Sequence, residues 1–93
     1  MIISFGSKET QKIWEGERIN KLPPEIQTIG RRKLRMLNSS QDIKDLMLPP
    51  SNKLEKLKGF LKEFHSIRIN NQWRIIFKWN DGISSEVEII DYH

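Results

Sequence analysis

The segment from Trp73 to Tyr92 constrains the fold more than any other part of this chain. Apolar and polar side chains alternate along Trp73–Trp79, which is typical of a strand with one buried face. Asn80-Asp81-Gly82 follows, and these residues tolerate the left-handed backbone that a tight hairpin requires. A second strand over about Ser85–Tyr92 is therefore predicted to return antiparallel to the first, and the two strands require a sheet.

The rest of the chain predicts helices first and strands afterwards. The second helix has apolar residues at helical spacing and a proline in its first turn, where no N–H needs a partner. Helices followed by a run of antiparallel strands predict an α+β fold, with two N-terminal helices on one face of a sheet, in one domain spanning residues 1–93. In chain order the other predicted elements are a strand at Ile2–Phe5, helices over Lys8–Gly16 and from Leu22-Pro23-Pro24 onward, a helical turn at Gln41–Met47, and strands at Leu54–Leu57 and Phe64–Asn70.

The composition excludes several kinds of site. The chain has no cysteine, so disulfides, thiolate nucleophiles and cysteine-based zinc sites are ruled out. His65 and His93 lie far apart, with no acid at helical ligand spacing to either, and we expect neither a metal nor a cofactor. The opening residues Met1–Phe5 have no basic region and no long apolar run, so we expect no signal peptide, no membrane span and a cytoplasmic protein.

The charge of the chain favours an anionic partner. It has 16 lysines and arginines against 12 acidic residues, a net charge of +4. In the C-terminal half, cations and aromatic rings are interleaved, as in grooves that bind an RNA backbone and stack on its bases. Alternatively, the aromatics form the sheet core and the lysines its solvated face, an interpretation we prefer for most of the rings. The residues concerned are Lys53, Lys56, Lys58, Lys62, Arg68, Arg74 and Lys78, with Phe60, Phe64, Trp73, Phe77 and Trp79.

A second group of cations lies on the predicted second helix. Arg31, Arg32 and Arg35 fall largely off its apolar stripe. They are either a solvated surface or a contact for RNA or a partner protein, and the sequence leaves both interpretations open.

The last three residues, Asp91-Tyr92-His93, bring an acid, a phenol and an imidazole to the end of a predicted strand. Cutting RNA without a metal needs a base for the 2′-hydroxyl, an acid for the leaving 5′-oxygen and cations for the charged phosphorane. His93 can donate or accept protons near neutral pH, Asp91 can orient it or act as a base, and Tyr92 can stack or donate a hydrogen bond. Arg68 and Arg74 are predicted to lie on one face of neighbouring strands, where they can hold a phosphate.

Strand alternation separates these terminal residues. If the final strand stays regular, Asp91 and His93 share the face of Ile89, and Tyr92 lies on the opposite face. A common site would require the chain to twist or to leave the sheet, which the sequence does not settle. His65 shares a face with apolar residues of its strand, and we interpret it as a partly buried structural histidine.

Five sequence motifs, in order along the whole chain, carry a resemblance to a known family. They are Met1-Ile-Ile-Ser-Phe5, Arg32-Lys33-Leu34-x-Met36-Leu37, Leu48-Pro49-Pro50-x-Asn52, His65-Ser66-Ile67-Arg68-Ile69-Asn70-x-Gln72-Trp73-Arg74, and Asp91-Tyr92-His93. With these motifs the chain resembles HigB toxins of the RelE superfamily, the ribosome-dependent mRNA interferases of bacterial type II toxin–antitoxin pairs. The C-terminal half is the more specific part of the match.

The resemblance implies a RelE-like fold, which is a small twisted antiparallel sheet with two N-terminal helices packed on one face. It also implies metal-independent cleavage of mRNA in the ribosomal A site. It assigns catalytic roles to Asp91, Tyr92, His93 and Arg74, with Arg74 stabilising the phosphate. Glu55 stands where some relatives have a histidine, which leaves the division of acid–base work open. We expect four further residues to bind RNA or phosphate: Arg68, Lys58, Lys56 and Asn70.

The implied partners are a HigA-type antitoxin with a helix-turn-helix domain, and the ribosome with its mRNA. Operator DNA would be bound only through the antitoxin complex. Two alternatives to a nuclease remain at this point. One is a non-catalytic inhibitor that occupies RNA or the ribosome. The other is a subunit whose main role is to bind an antitoxin in a repressor complex.

Overall fold

The computed structural model describes residues 1–92 and confirms the predicted α+β fold. Two helices precede one antiparallel sheet whose strands follow chain order, β1-β2-β3-β4. Short connections join the sheet strands, so each strand pairs with its sequence neighbour. The elements are α1 (Lys8–Trp14), α2 (Pro24–Ser39), β1 (Glu55–Lys56), β2 (Phe64–Arg68), β3 (Trp73–Asn80) and β4 (Ile83–Asp91), with 3₁₀ turns at Ile43–Met47, Pro50–Asn52 and Gly59–Leu61.

The core lies between the two helices and one face of the sheet. Alternation along β3 places Ile75 and Phe77 on this face, and both are fully buried. Leu34 and Leu37 of α2 and Ile13 of α1 are buried in the same cluster. Gly30 allows α2 to approach the sheet, because a Cβ there would lie 3.0 Å from Cδ1 of Ile89. The opposite sheet face is therefore left without a helical cover.

The N-terminal segment differs from the prediction. Ile2–Phe5 was expected to form a strand, but Ile2 and Phe5 make isolated parallel bridges to Ser84 and Val87. The bridges flank a bulge in β4, where the register shifts opposite Ile76–Lys78 and Glu86 takes a φ of +50°. A bulge interrupts the regular ladder, so the incoming segment pairs with β4 only at separate points.

A buried polar pair holds the segment that precedes β1. Nζ of Lys33 donates to Oδ1 of Asn52 at 2.6 Å, and both residues are buried. Nδ2 of Asn52 donates to the carbonyls of Leu46 and Leu48 at 3.1 and 3.3 Å. Burial lowers the pKa of the Lys33 amine, and Arg32 adds to the effect. The pair therefore ties α2 to the chain that leads into β1.

Among residues 1–92, no helix is long and apolar enough to cross a lipid bilayer.

His65 is half-buried, as predicted, and it lies against the core. Its ring stacks on Phe77 with centroids 5.9 Å apart, and its Nδ1 is buried without a partner among the described residues. Burial lowers the pKa of His65 from its ordinary value of 6.5, and repulsion by Lys56 lowers it further.

We expect His65→Phe to reduce the loss of stability in acid. Because the folded pKa is lowered, the unfolded state binds more protons as the pH falls through 6.5, and stability is lost down to the folded pKa. Phenylalanine keeps a ring against Phe77 but does not titrate. Urea unfolding at about pH 7.5 and about pH 5.5 measures the difference across the titration range of histidine. Equal losses of stability in the two proteins would contradict this assignment.

Candidate active site

The helix-free face of the sheet is organised around Arg74. Its side chain is only 11% exposed, although it is charged. Nη1 donates to Oγ of Ser66 at 2.9 Å and to Oε1 of Glu55 at 3.0 Å. Arg74 thus reaches from β3 across β2 to β1. A nearly buried guanidinium held by neutral and charged partners keeps a defined orientation, which suits it to bind a phosphate.

Tyr92 lies against the same guanidinium. The Cζ atom of Arg74 is 4.6 Å from the centroid of the Tyr92 ring, a cation–π distance. The backbone N–H of Tyr92 donates to the carbonyl of Gln72 at 2.6 Å, which anchors the chain just beyond β4. Register explains the contact, because Arg74 pairs with Ile90, and Tyr92 shares the face of Ile90.

Asp91 is directed to a different neighbour. It pairs with Trp73 at the end of β4, and its Oδ2 accepts from Nε2 of Gln72 at 3.1 Å. Alternation thus separates Asp91 from Tyr92, as expected for a regular strand end. The predicted catalytic residue His93 lies outside the described residues.

Tyr92 also borders a cleft that contains both predicted lysines. The cleft has a volume of about 290 Å³, and it is open to solvent. It brings Lys56 and Lys58 beside Tyr92, with Glu55 linking the cleft to Arg74. Its lining is Glu55, Lys56, Leu57, Lys58, Leu61 and Tyr92. Residues from β1, from the turn after it and from the chain end thus meet at one place.

Glu55 is the residue of this site that was missing from the predicted set. In the sequence it stands out only as the residue at the position where some relatives have a histidine. The signal in the sequence was its place at the start of a strand just before two lysines. Only the pairing of β1 with β2, Glu55 opposite Ser66, shows that it lies beside Arg74.

Arg68 lies directly opposite Arg74 on the neighbouring strand. It is half-buried, and its Nε is buried without a partner among residues 1–92. Two like charges directly opposite each other are unfavourable in a sheet. An anion bound between them would remove the repulsion and supply an acceptor, so the pair is suited to a phosphate.

Asn70 is placed differently from the prediction. The strand expected over Phe64–Asn70 ends at Arg68, and Asn70 lies in the turn that follows. Its Oδ1 accepts from the backbone N–H groups of Gln72 and Trp73, both at 2.8 Å. Asparagine often builds turns in this way, because its side chain mimics a backbone acceptor. Asn70 therefore shapes the turn that leads into β3.

A second basic cleft lies on the helical side of the molecule. It has a volume of about 410 Å³ and lies between α2 and the chain that follows α1. Arg31, Arg32 and Arg35, which the sequence singled out, line it together with Arg18. Nε of Arg31 is buried without a partner among the described residues. These arginines therefore form a concave surface, which we call the arginine cleft.

Within residues 1–92, no cluster of three or more histidine, cysteine or acidic side chains is arranged to hold a metal ion.

Two sequence comparisons with known proteins both indicate a HigB toxin. The sequence model of a family described as "RelE-like toxin of type II toxin-antitoxin system HigB" matches residues 3–93. Toxin HigB-1 of Vibrio cholerae is 39% identical over 85 residues, which cover 90% of each chain.

Two solved structures share the fold at low sequence identity. YafQ from Escherichia coli strain BL21(DE3) superposes with a TM-score of 0.64 at 18% identity, over 98% of this chain and 91% of that one. A chain of the YoeB–YefM complex from Staphylococcus aureus gives 0.63 at 18% identity, over 100% of this chain and 98% of that one.

Proposed function

Because this chain belongs to the RelE-like HigB toxins of type II toxin–antitoxin systems, we propose that it is a metal-independent endoribonuclease that cuts translated mRNA in the ribosomal A site. The observation that carries the proposal is the position of Arg74. The guanidinium is held by Ser66 and Glu55 and stacks against Tyr92, and both Glu55 and Tyr92 line a cleft that contains two lysines. This arrangement supplies cations for the charged phosphorane that RNA cleavage forms.

The roles of the residues follow from charge and position. The 2′-oxygen attacks phosphorus as it loses its proton, and the bond from phosphorus to the 5′-oxygen breaks as that oxygen gains one. Arg74 and Arg68 stabilise the charge on the phosphorane, and Lys56 and Lys58 bind the neighbouring backbone. Tyr92 stacks on a base or donates a hydrogen bond.

Proton transfer needs one base and one acid. A phosphate that binds Arg74 competes with Glu55 for the same guanidinium, and the displaced carboxylate then lies beside the phosphate as a base. His93 is the proposed acid for the leaving oxygen, because imidazole titrates near neutral pH. Asp91 is proposed to position His93. The pair Glu55–Arg74 thus replaces the histidine that some relatives carry near the lysine.

The experiment that tests this function is primer extension on an mRNA incubated with the purified chain, with and without translating ribosomes. Cuts within codons only when ribosomes are present would support the proposal. Cuts without ribosomes would indicate a self-sufficient nuclease and contradict the ribosomal part. Growth arrest without cuts in either reaction would favour the non-catalytic inhibitor.

We also propose that a HigA-type antitoxin with a helix-turn-helix domain neutralises this chain, and that operator DNA is bound only through their complex. The family supports an antitoxin partner, and a structural neighbour from S. aureus was solved as a heterotetrameric YoeB–YefM toxin–antitoxin complex. Co-purification with the antitoxin encoded beside it, followed by operator binding with and without this chain, tests both statements.

The arginine cleft is expected to act in binding rather than in chemistry. Replacing Arg31, Arg32 and Arg35 together by alanine should weaken binding to the ribosome or to the antitoxin roughly tenfold, because up to three phosphate or carboxylate contacts are lost. On the ribosome the KM should rise while kcat stays unchanged.

A variant with the same change of net charge is the control for long-range electrostatic attraction, which depends on the net charge of the whole protein. It replaces three exposed lysines elsewhere by alanine: Lys8, Lys12 and Lys44. A specific role for the cleft would be ruled out in either of two cases. The arginine variant binds both partners as tightly as wild type, or the lysine variant loses as much affinity as the arginine variant.

A further inference from the structure

The turn Gly59–Leu61 presents an aromatic ring that packs against nothing. Phe60 is 107% exposed, more than any other large apolar residue among those described. The remaining phenylalanine and tryptophan rings are buried or half-buried, and Tyr92 is the other exposed ring. A single exposed apolar residue is common on protein surfaces, so exposure alone says little.

The local backbone explains why the ring lies outward. Gly59 has a φ of +70°, and a Cβ placed there would meet nothing within 4 Å. The N–H of Lys62 closes the turn on the carbonyl of Gly59 at 3.2 Å. A backbone hydrogen bond therefore stabilises the turn, and the turn does not depend on packing of the Phe60 side chain.

The surroundings of Phe60 are those of a site for single-stranded RNA. Lys58, which precedes the turn, and Leu61, its last residue, line the same cleft as Tyr92. Lys58 and Lys62 lie two residues before and two residues after Phe60 in the chain, and neither forms an ion pair with another described residue. Phe60 is two residues from Lys58, so their Cα atoms lie at most about 7.6 Å apart. Exposed rings with unpaired cations beside them are how proteins stack on unpaired bases and hold the adjoining phosphates.

We propose that Phe60 is a stacking platform for an unpaired base next to the phosphate bound at Arg74, and that it contributes to base preference. This inference rests on the proposed nuclease function and adds a residue that neither the catalytic groups nor the arginine cleft includes. Stacking on a ring depends on its flat face, so a leucine of comparable apolarity does not replace it.

The test compares Phe60→Leu, Phe60→Ala and Phe60→Trp on ribosomes programmed with mRNAs that differ only in the A-site codon. Cleavage rates over a range of ribosome concentrations, from below to above KM, give kcat and KM for each codon. Met47→Ala, a change at an exposed apolar residue outside the cleft, is the control.

We expect the leucine and alanine variants to raise KM by about five- to 150-fold, the range that loss of one base stack implies. Their preference among codons should flatten, whereas Phe60→Trp keeps both affinity and preference. Thermal unfolding should be unchanged in every variant, because Phe60 makes no packing contact.

Three results would overturn the inference. If wild type cuts but Phe60→Leu has the same KM and codon pattern, the nuclease proposal stands and the stacking role fails. If Phe60 variants cut normally but escape an antitoxin, the ring is a protein contact. If wild type makes no cuts, the proposed function fails and the stacking role fails with it.

Discussion

Replacing Arg74 with alanine is expected to lower the rate of RNA cleavage roughly 10²–10³-fold, the usual cost of losing one preorganised donor to a developing oxyanion. Arg74 is the cation on the open sheet face that is nearly buried and directed by Ser66 and Glu55. Its orientation is therefore set before RNA binds. Single-turnover cleavage on programmed ribosomes measures the effect, and thermal unfolding confirms that the variant remains folded.

Two further variants separate charge from geometry at Arg74. Arg74→Lys keeps the charge but not the planar fork, and it should remain well below wild type. Glu55→Gln removes the ion pair but leaves the arginine. If Glu55 is the base, this variant loses activity while binding RNA at least as tightly as wild type. Full cleavage by Arg74→Ala would show that the catalytic site lies elsewhere.

Replacing Asn52 with alanine is expected to destabilise the protein by about 3–4 kcal/mol, since hydrogen bonds to charged groups contribute about 1.5–3 and neutral ones about 0.5–1.5 kcal/mol. Asn52 is fully buried, and its side chain forms hydrogen bonds with the Lys33 amine and with the carbonyls of Leu46 and Leu48. Its loss leaves the Lys33 amine and two carbonyls without this partner. Urea unfolding gives the change in the free energy of unfolding.

A second variant distinguishes the orphaned amine from the lost loop contacts. Lys33→Met fills a similar volume without a charge, so combining it with Asn52→Ala should recover part of the stability. A double-mutant cycle isolates the coupling between the two residues. No recovery in the double variant would mean that the carbonyl contacts of Asn52, not the amine, account for the loss.

The sheet was predictable because strand alternation and hairpin turns depend on residues that are close together in the chain. Alternation along Trp73–Trp79 and the Asn80-Asp81-Gly82 turn determine two adjacent strands and the faces of their side chains. The same alternation places Asp91 and Tyr92 on opposite faces if the last strand stays regular. In the structure it does so, because Tyr92 lies on the face of Arg74 while Asp91 contacts Gln72.

The N-terminal segment and the turn at Asn70 were predicted less well. Ile2–Phe5 has strand composition, but its pairing depends on the bulge at Glu86, more than 80 residues away. Asn70 fits the alternating pattern of the strand before it, but that strand ends at Arg68. The side chain of Asn70 instead accepts a hydrogen bond from the backbone N–H of Gln72 in the turn that follows. Both outcomes depend on which partner is within reach, and a residue pattern does not contain that information.

By itself, the sequence determined the α+β class, the helix-then-strand order and the face on which Arg74 lies, because periodicity and turn chemistry act between near neighbours. Only the tertiary structure decided that Glu55 forms an ion pair with Arg74 and that Asn52 accepts a hydrogen bond from Lys33. It also decided that Tyr92 lines the same cleft as Lys56 and Lys58. The partners in these contacts lie 19 or more residues apart. Their meeting depends on strand register and helix docking, which are properties of the whole packed chain.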